Sequence, residues 1–402
     1  MKILYVCPSA HRPSHIPYFL IKESAALLRS GEQVSILTFS GILGGREPKD
    51  IYHMTVVSAW YGSLINVVLR LLNWLNLKTL VGFVEQFTTL LSAINLRKHL
   101  GCDLLYLREG DPFIFVPFIL DLFSKRKRWI ISMLGLTMRI SPGSAAYKFI
   151  NASFWKLIYR RGLSRNRFVL LCENNYVEDY FKSKFMDGIF STNVELVRTA
   201  VEDIVEVISK KDARYYLGIQ EDKIVILHFG ALHGGKDIET VIQAVKHIPD
   251  VILLQVGKVT SSINVQAMVQ NLGLQDRVII KDYYVPESEK GYYFAAADAA
   301  VLSYKKDFLQ ATGMLWEIAR YGLPSIASNV GELGYFVKNY DLGLTFEAED
   351  ADSLKKALMK FLQYDQDKKE DLRANCYNFC REFSINRWAQ RFIDISSRLY
   401  NK

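Results

Sequence analysis

The stretch Gln310-Ala-Thr-Gly-Met-Leu-Trp-Glu-Ile-Ala-Arg-Tyr-Gly-Leu-Pro-Ser-Ile-Ala327 reads as three pieces in order: a glycine-punctuated turn, a short helix carrying one acid, and a buried strand. Gly313 lets a backbone come close to a ligand, and the first N–H groups of the helix that follows have no intrahelical partner, so they are free to bind a phosphate. Glu317 lies further on, about one helical turn inside. A carboxylate there is badly placed for a phosphate and well placed to accept hydrogen bonds from vicinal hydroxyls such as those of a ribose. Gly322-Leu-Pro324 ends the helix, and Ser325-Ile-Ala327 returns as a strand.

Outward from this element, strand and helix signals alternate through the second half of the chain. Strands are predicted at Ile224–His228, Val251–Val256, Val278–Ile280, Ala299–Ser303, Ser325–Ala327 and Gly343–Phe346, with helices at Ile238–His247, Val265–Asn271, Gly291–Ala297, after Gly313, and at Ala351–Leu362. Short continuous apolar strands between helices imply a parallel sheet covered on both faces, which is a doubly wound domain. The first half repeats the pattern more roughly. Strands are predicted at Lys2–Cys7, Gln33–Thr38, Met54–Ser58, Leu104–Leu107, Trp129–Ser132 and Phe168–Cys172. Helices are predicted at Tyr18–Arg29, around Ile65–His99, and at Phe113–Phe123, Ala145–Arg161 and Val177–Phe185. A second Rossmann-like α/β domain fits. The length of 402 residues exceeds what one core organises, and a hydrophobic content of 50% suffices for two buried sheets. The hinge is expected after Val197-Arg-Thr-Ala-Val201, where an apolar strand gives way to the polar Ser209-Lys-Lys-Asp-Ala-Arg214. Residues 1–202 and 203–384 then form the two domains.

A second glycine-rich element, Phe229-Gly-Ala-Leu-His-Gly-Gly-Lys236, joins the first strand and first helix of the second half. Gly230, Gly234 and Gly235 permit a tight turn with exposed amides, and Lys236 at the helix entrance adds a cation able to meet a diphosphate. A charge-assisted hydrogen bond of this kind is worth about 1.5–3 kcal/mol, enough to hold a leaving group. Taken alone, the same residues equally describe an ordinary strand-to-helix turn with a solvated lysine. Pairing with the Gly313/Glu317 element favours the phosphate reading.

Leu302-Ser-Tyr304, Gln310-Ala-Thr-Gly-Met-Leu315, Glu317, Gly322-Leu-Pro324 and Ile326-Ala-Ser328 together resemble the donor-site signature of GT-B glycosyltransferases, specifically glycosyltransferase family 4. The likeness extends in weaker form over nearly the whole chain. It implies two Rossmann-like domains facing across a cleft, with the last helix, roughly Ile385–Tyr400, crossing back to complete the first. It further implies a nucleotide-sugar donor on the second domain: Gly230, Gly235, Lys236, Gly313 and Met314 at the diphosphate, Glu317 at the ribose, and Gln310, Ala311 and Thr312 at the sugar. Transfer would proceed with retention, with no metal and no cofactor beyond the donor itself. Family members require no enzyme nucleophile, only charge stabilisation of the departing diphosphate and alignment of the acceptor hydroxyl. The chain departs from the family pattern in three places: Ala231 replaces an arginine, Leu309 stands where an acid is common, and Leu134 where a histidine is common.

In the first domain, Pro8-Ser-Ala-His-Arg-Pro-Ser-His-Ile-Pro17 follows the first strand, and its His11, Arg12 and His15 are candidates to contact acceptor or phosphate. Leu107-Arg-Glu-Gly-Asp111 lies just past the carboxyl end of a strand, where α/β sites gather. Glu109 or Asp111 would there act as base for the acceptor hydroxyl, or else pair with Arg108.

Composition narrows the partners. The five cysteines are odd in number and scattered; only Cys376 and Cys380 are close, without the histidines a metal site wants. Small buried hydrophobes in a reducing cytosol are the expectation. The start Met1–Cys7 alternates like a first strand and is too short before Pro8 to read as a secretory signal. Tyr61–Leu100 is apolar, but Arg70, Lys78 and Glu85 interrupt it far short of a spanning helix.

Of the net charge of +8, residues 60–170 supply +11, from 16 Lys and Arg against five acids. No aromatic interleaving or recognition helix accompanies the cations, so nucleic acid is not the expected partner. Phe113–Phe123 abuts Lys125-Arg-Lys-Arg128, with Trp60, Trp74 and Trp129 near in sequence. That pattern fits reversible binding to an anionic membrane at about 1 kcal/mol per cation. A peripheral protein at the cytoplasmic face of the membrane is expected, with a glycan or lipid-linked acceptor in surface polysaccharide or glycolipid assembly. The alternatives are a nucleotide-sugar epimerase, which would want more carboxylates and histidines around the sugar, and a non-catalytic partner that keeps the fold.

Overall fold

The computed structural model describes residues 1–11, 16–40, 42, 51–56, 62–108, 128–133, 168–172, 194–198, 204–205, 208–260, 263–308 and 312–400. The chain divides into two compact units, Met1–Ala200 together with Ile385–Lys402, and Val201–Ser384.

The first unit is built on a seven-stranded sheet of β1 (Lys2–Cys7), β2 (Gln33–Thr38), β3 (Tyr52–Thr55), β4 (Leu104–Leu107), β5 (Trp129–Met133), β6 (Phe168–Cys172) and β7 (Val194–Leu196). Their spatial order is β3-β2-β1-β4-β5-β6-β7, and every pairing is parallel. β1 is buried at every position after Lys2, which explains its place at the centre. Leu4 and Val6 face one layer, which includes Leu90, Ala93 and Leu96 of the helix Lys78–Leu100. Ile3, Tyr5 and Cys7 face the other, which includes helix Ile16–Arg29 and the last helix Ile385–Tyr400. That last helix contributes Trp388, Ala389, Phe392, Ile395 and Leu399, an i, i+4, i+7 stripe, and its Arg391 and Arg398 both reach Glu195 at 2.8 and 2.7 Å.

The second unit carries β8 (Ile224–Phe229), β9 (Val251–Val256), β10 (Val278–Lys281), β11 (Ala299–Leu302), β12 (Ser325–Ser328) and β13 (Gly343–Phe346), in the order β10-β9-β8-β11-β12-β13 and again all parallel. Val225, Leu227 and Phe229 point to one face, where helices Glu287–Ala296, Gly313–Arg320, Gly331–Asn339 and part of Gln366–Glu382 pack. Ile226 points to the other, with helices Ile238–Lys246, Val265–Asn271 and Ala351–Leu362. Each fully buried aliphatic side chain is worth about 1.5–3 kcal/mol, so the two layers of each sheet supply most of the folding free energy.

The polar segment Ser209–Arg214, to which the sequence assigned no element, begins the helix Lys210–Leu217. Ser209 caps it by accepting from Asp212 N at 3.1 Å, Gly218 ends it at φ 70°, and Tyr216 stacks on Tyr292 at 4.0 Å. Arg214 is buried against Asp298 at 2.9 Å and the Ala296 carbonyl at 3.0 Å. Around Ile65–His99, where helices are predicted, there are two, Gly62–Trp74 and Lys78–Leu100, separated at Asn76, whose φ is +56°. Trp129 is fully buried and stacks on Phe168 at 5.9 Å, so it serves the core rather than a membrane surface. Helices Gly331–Asn339 and Gln366–Glu382 went unassigned in the sequence reading. The predicted helices Phe113–Phe123, Ala145–Arg161 and Val177–Phe185 lie outside the described residues, as do Trp60 and the cations Lys125 to Lys127.

All five cysteines are buried. Burial pushes the Cys380 thiol up to about 12 and raises Cys376 as well, so neither supplies a thiolate at neutral pH.

Candidate functional site

In an open parallel sheet the strand order reverses at one point, and the turns leaving the strands there diverge to opposite faces, opening a crevice at their carboxyl ends. In the second unit that point lies between β8 and β11. The two turns the sequence singled out, Gly230–Lys236 and the turn ending at Thr312, leave these two strands.

Backbone bonds stitch the turns together. Lys236 and Tyr304 form an isolated antiparallel bridge, Lys305 N donates to Gly235 O at 3.2 Å, and Asp237 N donates to Ser303 O at 3.2 Å. Gly230 sits at φ +96°, open to glycine but strained for other residues. A Cβ at this position would lie 3.1 Å from Lys236 Nζ and 3.3 Å from Met314 Sδ. The backbone of one turn, the ammonium at its end and the first turn of helix Gly313–Arg320 therefore meet at Gly230. Gly257, at the end of β9, backs this arrangement: at φ +133° its bare Cα packs on the Gly230 carbonyl, where any Cβ would collide with backbone.

Lys236 is only 3% exposed, and its Nζ donates to Phe229 O at 2.7 Å. Burial pulls its pKa down to about 8. No carboxylate pairs with it among the described residues. A buried ammonium with one carbonyl partner retains donors for an anion, and an arriving diphosphate would compensate the desolvation already incurred.

The helix start is fixed from within. Thr312 Oγ1 accepts from Met314 N at 3.3 Å and shares a 2.7 Å hydrogen bond with the Tyr304 hydroxyl, while Tyr304 N donates to Ser328 Oγ at 2.9 Å. Among the described residues, a Cβ on Gly313 would meet nothing within 4 Å, so no described side chain covers the face beside the first amides. Glu317 lies three residues beyond Met314 on the same helix face. It is 20% exposed, with Oε2 3.5 Å from Arg320 Nη1 and Oε1 3.6 Å from Lys290 Nζ. Oε1 is buried and, among the described residues, accepts no hydrogen bond, so the exposed fifth of the side chain is the part a ligand hydroxyl can reach.

Sequence reasoning missed four residues here. Lys290, from helix Glu287–Ala296, also holds Glu287 at 2.6 Å, and despite burial these carboxylates raise its pKa. Tyr304 was noted only as part of a motif. His233 Nδ1 accepts from Gly235 N at 3.1 Å and orients the glycine turn; burial, then Lys236, lowers its pKa. His228 is fully buried with Nδ1 2.6 Å from Gln255 Oε1, and burial followed by the Lys236 charge brings its pKa down to about 3, so it is neutral. The Lys236 ammonium thus stands among neutral imidazoles, which do not compete with an anion.

Of the other sequence candidates, Gln310, Ala311 and Leu309 lie outside the described residues, as do His15, Arg12, Glu109, Asp111 and Leu134. His11 is described and pairs through Nε2 with Glu85 Oε1 at 3.5 Å. Among the described residues no group of three His, Cys, Asp or Glu side chains is placed to hold a metal ion.

Residues 209–379 match the model of the family described as glycosyl transferases group 1. Among curated proteins, none matches the sequence. Solved structures share the fold over its whole length. A glycosyltransferase from Rickettsia africae matches with a TM-score of 0.73 at 14% identity, over 99% of this chain and 98% of that one. HepE of Anabaena in complex with UDP matches with a TM-score of 0.69 at 16% identity, over 99% and 100%. The catalytic domain of starch synthase IV from Arabidopsis thaliana, bound to ADP and acarbose, matches with a TM-score of 0.66 at 12% identity, over 100% of both chains. The two parallel-sheet units are those of the GT-B glycosyltransferase fold.

Proposed function

We propose that this chain, whose residues 209–379 carry a group 1 glycosyltransferase domain, moves a sugar from a nucleotide-activated donor held on its second unit to a glycan or lipid-linked acceptor. One observation carries the reading: Lys236 and Met314, from the turns on either side of the strand-order reversal, converge on the bare Cα of Gly230. Group 1 membership of this unit, and the nucleotides bound by HepE and starch synthase IV, support it.

The chemistry follows from the charges. As the bond between the sugar's anomeric carbon and the diphosphate breaks, negative charge collects on the leaving oxygen, and an ammonium already desolvated at that spot stabilises it with little reorganisation. The amides of Gly313 and Met314 add their dipoles at the helix N-terminus. Glu317 takes the ribose hydroxyls, and Gly230 and Gly235 let the backbone close on the diphosphate. Gln310, Ala311 and Thr312 are assigned to the sugar on the family resemblance, as is retention of configuration. Glu109, Asp111 and His15 are the proposed acceptor-side groups on sequence position alone, the acceptor hydroxyl losing its proton to one of them or to the departing phosphate. No metal or further cofactor enters this scheme.

The setting we infer is the anionic cytoplasmic face of a membrane, in the assembly of a surface polysaccharide or glycolipid. The +11 charge of residues 60–170 supports it, and no helix among the described residues is long and apolar enough to cross a membrane.

Thermal-shift screening of the full chain against UDP-, GDP- and ADP-linked sugars should single out one base. Incubation of that donor with membrane extract should then release nucleoside diphosphate. A donor that binds without any release would leave a binding protein, and no shift with any donor would overturn the site.

A further inference from the structure

Helix Gly62–Trp74 of the first unit is apolar on two sides. Ile65, Leu69 and Leu72 pack into the core beneath it. Leu64, Val67, Val68, Leu71 and Trp74, at i, i+3, i+4, i+7 and i+10, form a second stripe that faces outward, with Trp74 80% exposed, Leu64 70% and Val67 63%. Exposed Leu75, Leu77 and Leu80 carry the stripe around the turn into the next helix. A helix apolar all round is normally buried on all sides, and a contiguous exposed patch of this kind marks an interaction surface.

Charge selects the occupant. From Ile51 to Val84 the sequence holds no Asp or Glu, while Arg70 is exposed on the helix itself and Lys78 opens the next. An isologous pairing of two copies would bring the arginines of both onto a ridge with no acid to receive them. Trp74 ends the first of the two helices and is the most exposed residue of the stripe, and tryptophan is the side chain that settles at a lipid–water boundary.

We propose that the ridge from Leu64 to Leu80 is an insertion element for an anionic lipid bilayer, its leucines and Trp74 entering about 5–10 Å to the acyl boundary and Arg70 meeting lipid phosphates. The proposal rests on the peripheral-membrane reading above and is independent of the donor site. Phe113–Phe123, to which the sequence also directed attention, lies outside the described residues.

The test uses the full chain and sedimentation with phosphatidylcholine vesicles, with and without phosphatidylglycerol. The double substitution Leu71→Glu, Trp74→Glu should weaken partitioning by about a hundredfold, roughly tenfold for each apolar side chain withdrawn. Arg70→Gln should weaken it about fivefold, and only on anionic vesicles. Brominated lipid should quench the wild-type tryptophan fluorescence and lose that quenching in Trp74→Phe, a substitution that leaves the fold alone. Unchanged nucleotide-induced thermal shifts in every variant would separate this surface from the donor site. Wild-type partitioning by the double variant, or quenching that survives Trp74→Phe, overturns the proposal. So does a wild-type dimer that the double variant converts to monomer, which would make the ridge an interface between copies.

Discussion

The two units place a buried cation near the same topological position and treat it in opposite ways. In the first unit the strand order reverses between β1 and β4, and Arg108 directly follows β4. It is buried with Nη2 3.4 Å from Glu23 Oε1 and lies 5.4 Å above the Phe19 ring. Glu23 in turn accepts from the Tyr5 hydroxyl at 2.5 Å and the Tyr106 hydroxyl at 3.1 Å. Burial first, then the Glu23 charge, holds the Tyr5 hydroxyl far above its ordinary range, so the tyrosine stays a donor. In the second unit, Lys236 at the corresponding reversal has one backbone carbonyl and a glycine beside it. A neutralised cation makes a structural joint; a desolvated cation without a counter-ion makes a receptor for an anion. The difference explains why the donor is assigned to the second unit from physics as well as from resemblance.

The comparison breaks most visibly if the Glu23–Arg108 joint proves dispensable. Arg108→Met leaves the Glu23 carboxylate buried without its cation, and removing one partner of such a pair destabilises by about 3–5 kcal/mol. Urea unfolding followed by tryptophan fluorescence should show that loss, while the nucleotide-induced thermal shift of the second unit persists wherever the protein is folded. Wild-type stability in Arg108→Met would mean the first reversal point is not a packed joint.

Lys236→Met is the converse. Affinity for the nucleoside diphosphate should fall about ten- to a hundredfold, the range of one charge-assisted hydrogen bond. The ligand-free protein should become more stable at pH 7, because the folded-state pKa of about 8 lies below the ordinary 10.5. The unfolded chain binds the extra proton between those values. Wild-type stability therefore rises as pH climbs from about 8 to 10.5 and carries a penalty of about 3 kcal/mol below that window. Lys236→Met should lack this rise. Diphosphate affinity runs the other way in the wild type, level below pH 8 and declining above it as the ammonium is lost. Calorimetric titration across pH 7–10 measures the affinity slope and urea unfolding at each pH the stability slope; a pH-independent affinity would remove Lys236 from the site.

What the sequence made legible was whatever local pattern determines. The runs Lys2–Cys7 and Val251–Val256 coincide with strands because a parallel sheet buried on both faces requires continuous apolar residues. The turns at Gly230 and Gly313 announced themselves through glycine. Helix Lys210–Leu217 escaped because its hydrophobic content is low; its signals were the Ser209 cap, Asp212 and the terminal Gly218. Trp129 was misread because sequence proximity to cations says nothing about which way a strand residue points. The Glu23–Arg108 joint and the grip of Lys290 on Glu317 join residues from separate elements, and no local pattern encodes such pairs.

That last grip yields the finest discrimination between the two reversal points. If Glu317 is a ribose receptor, then Lys290 and Arg320 position its carboxylate, and neither touches the ligand. Lys290→Met removes an ion pair at 3.6 Å and leaves Arg320 in place, so the nucleoside diphosphate should bind only about two- to fivefold more weakly, the worth of one partly exposed pair. The loss should appear with the ribose nucleotide and vanish with its 2′,3′-dideoxy analogue, which offers the carboxylate no hydroxyl. A merely structural lysine would weaken both ligands alike. Equal losses would therefore leave Glu317 as a salt-bridged surface acid of the second unit, and the diphosphate contact at Lys236 as the whole of its recognition.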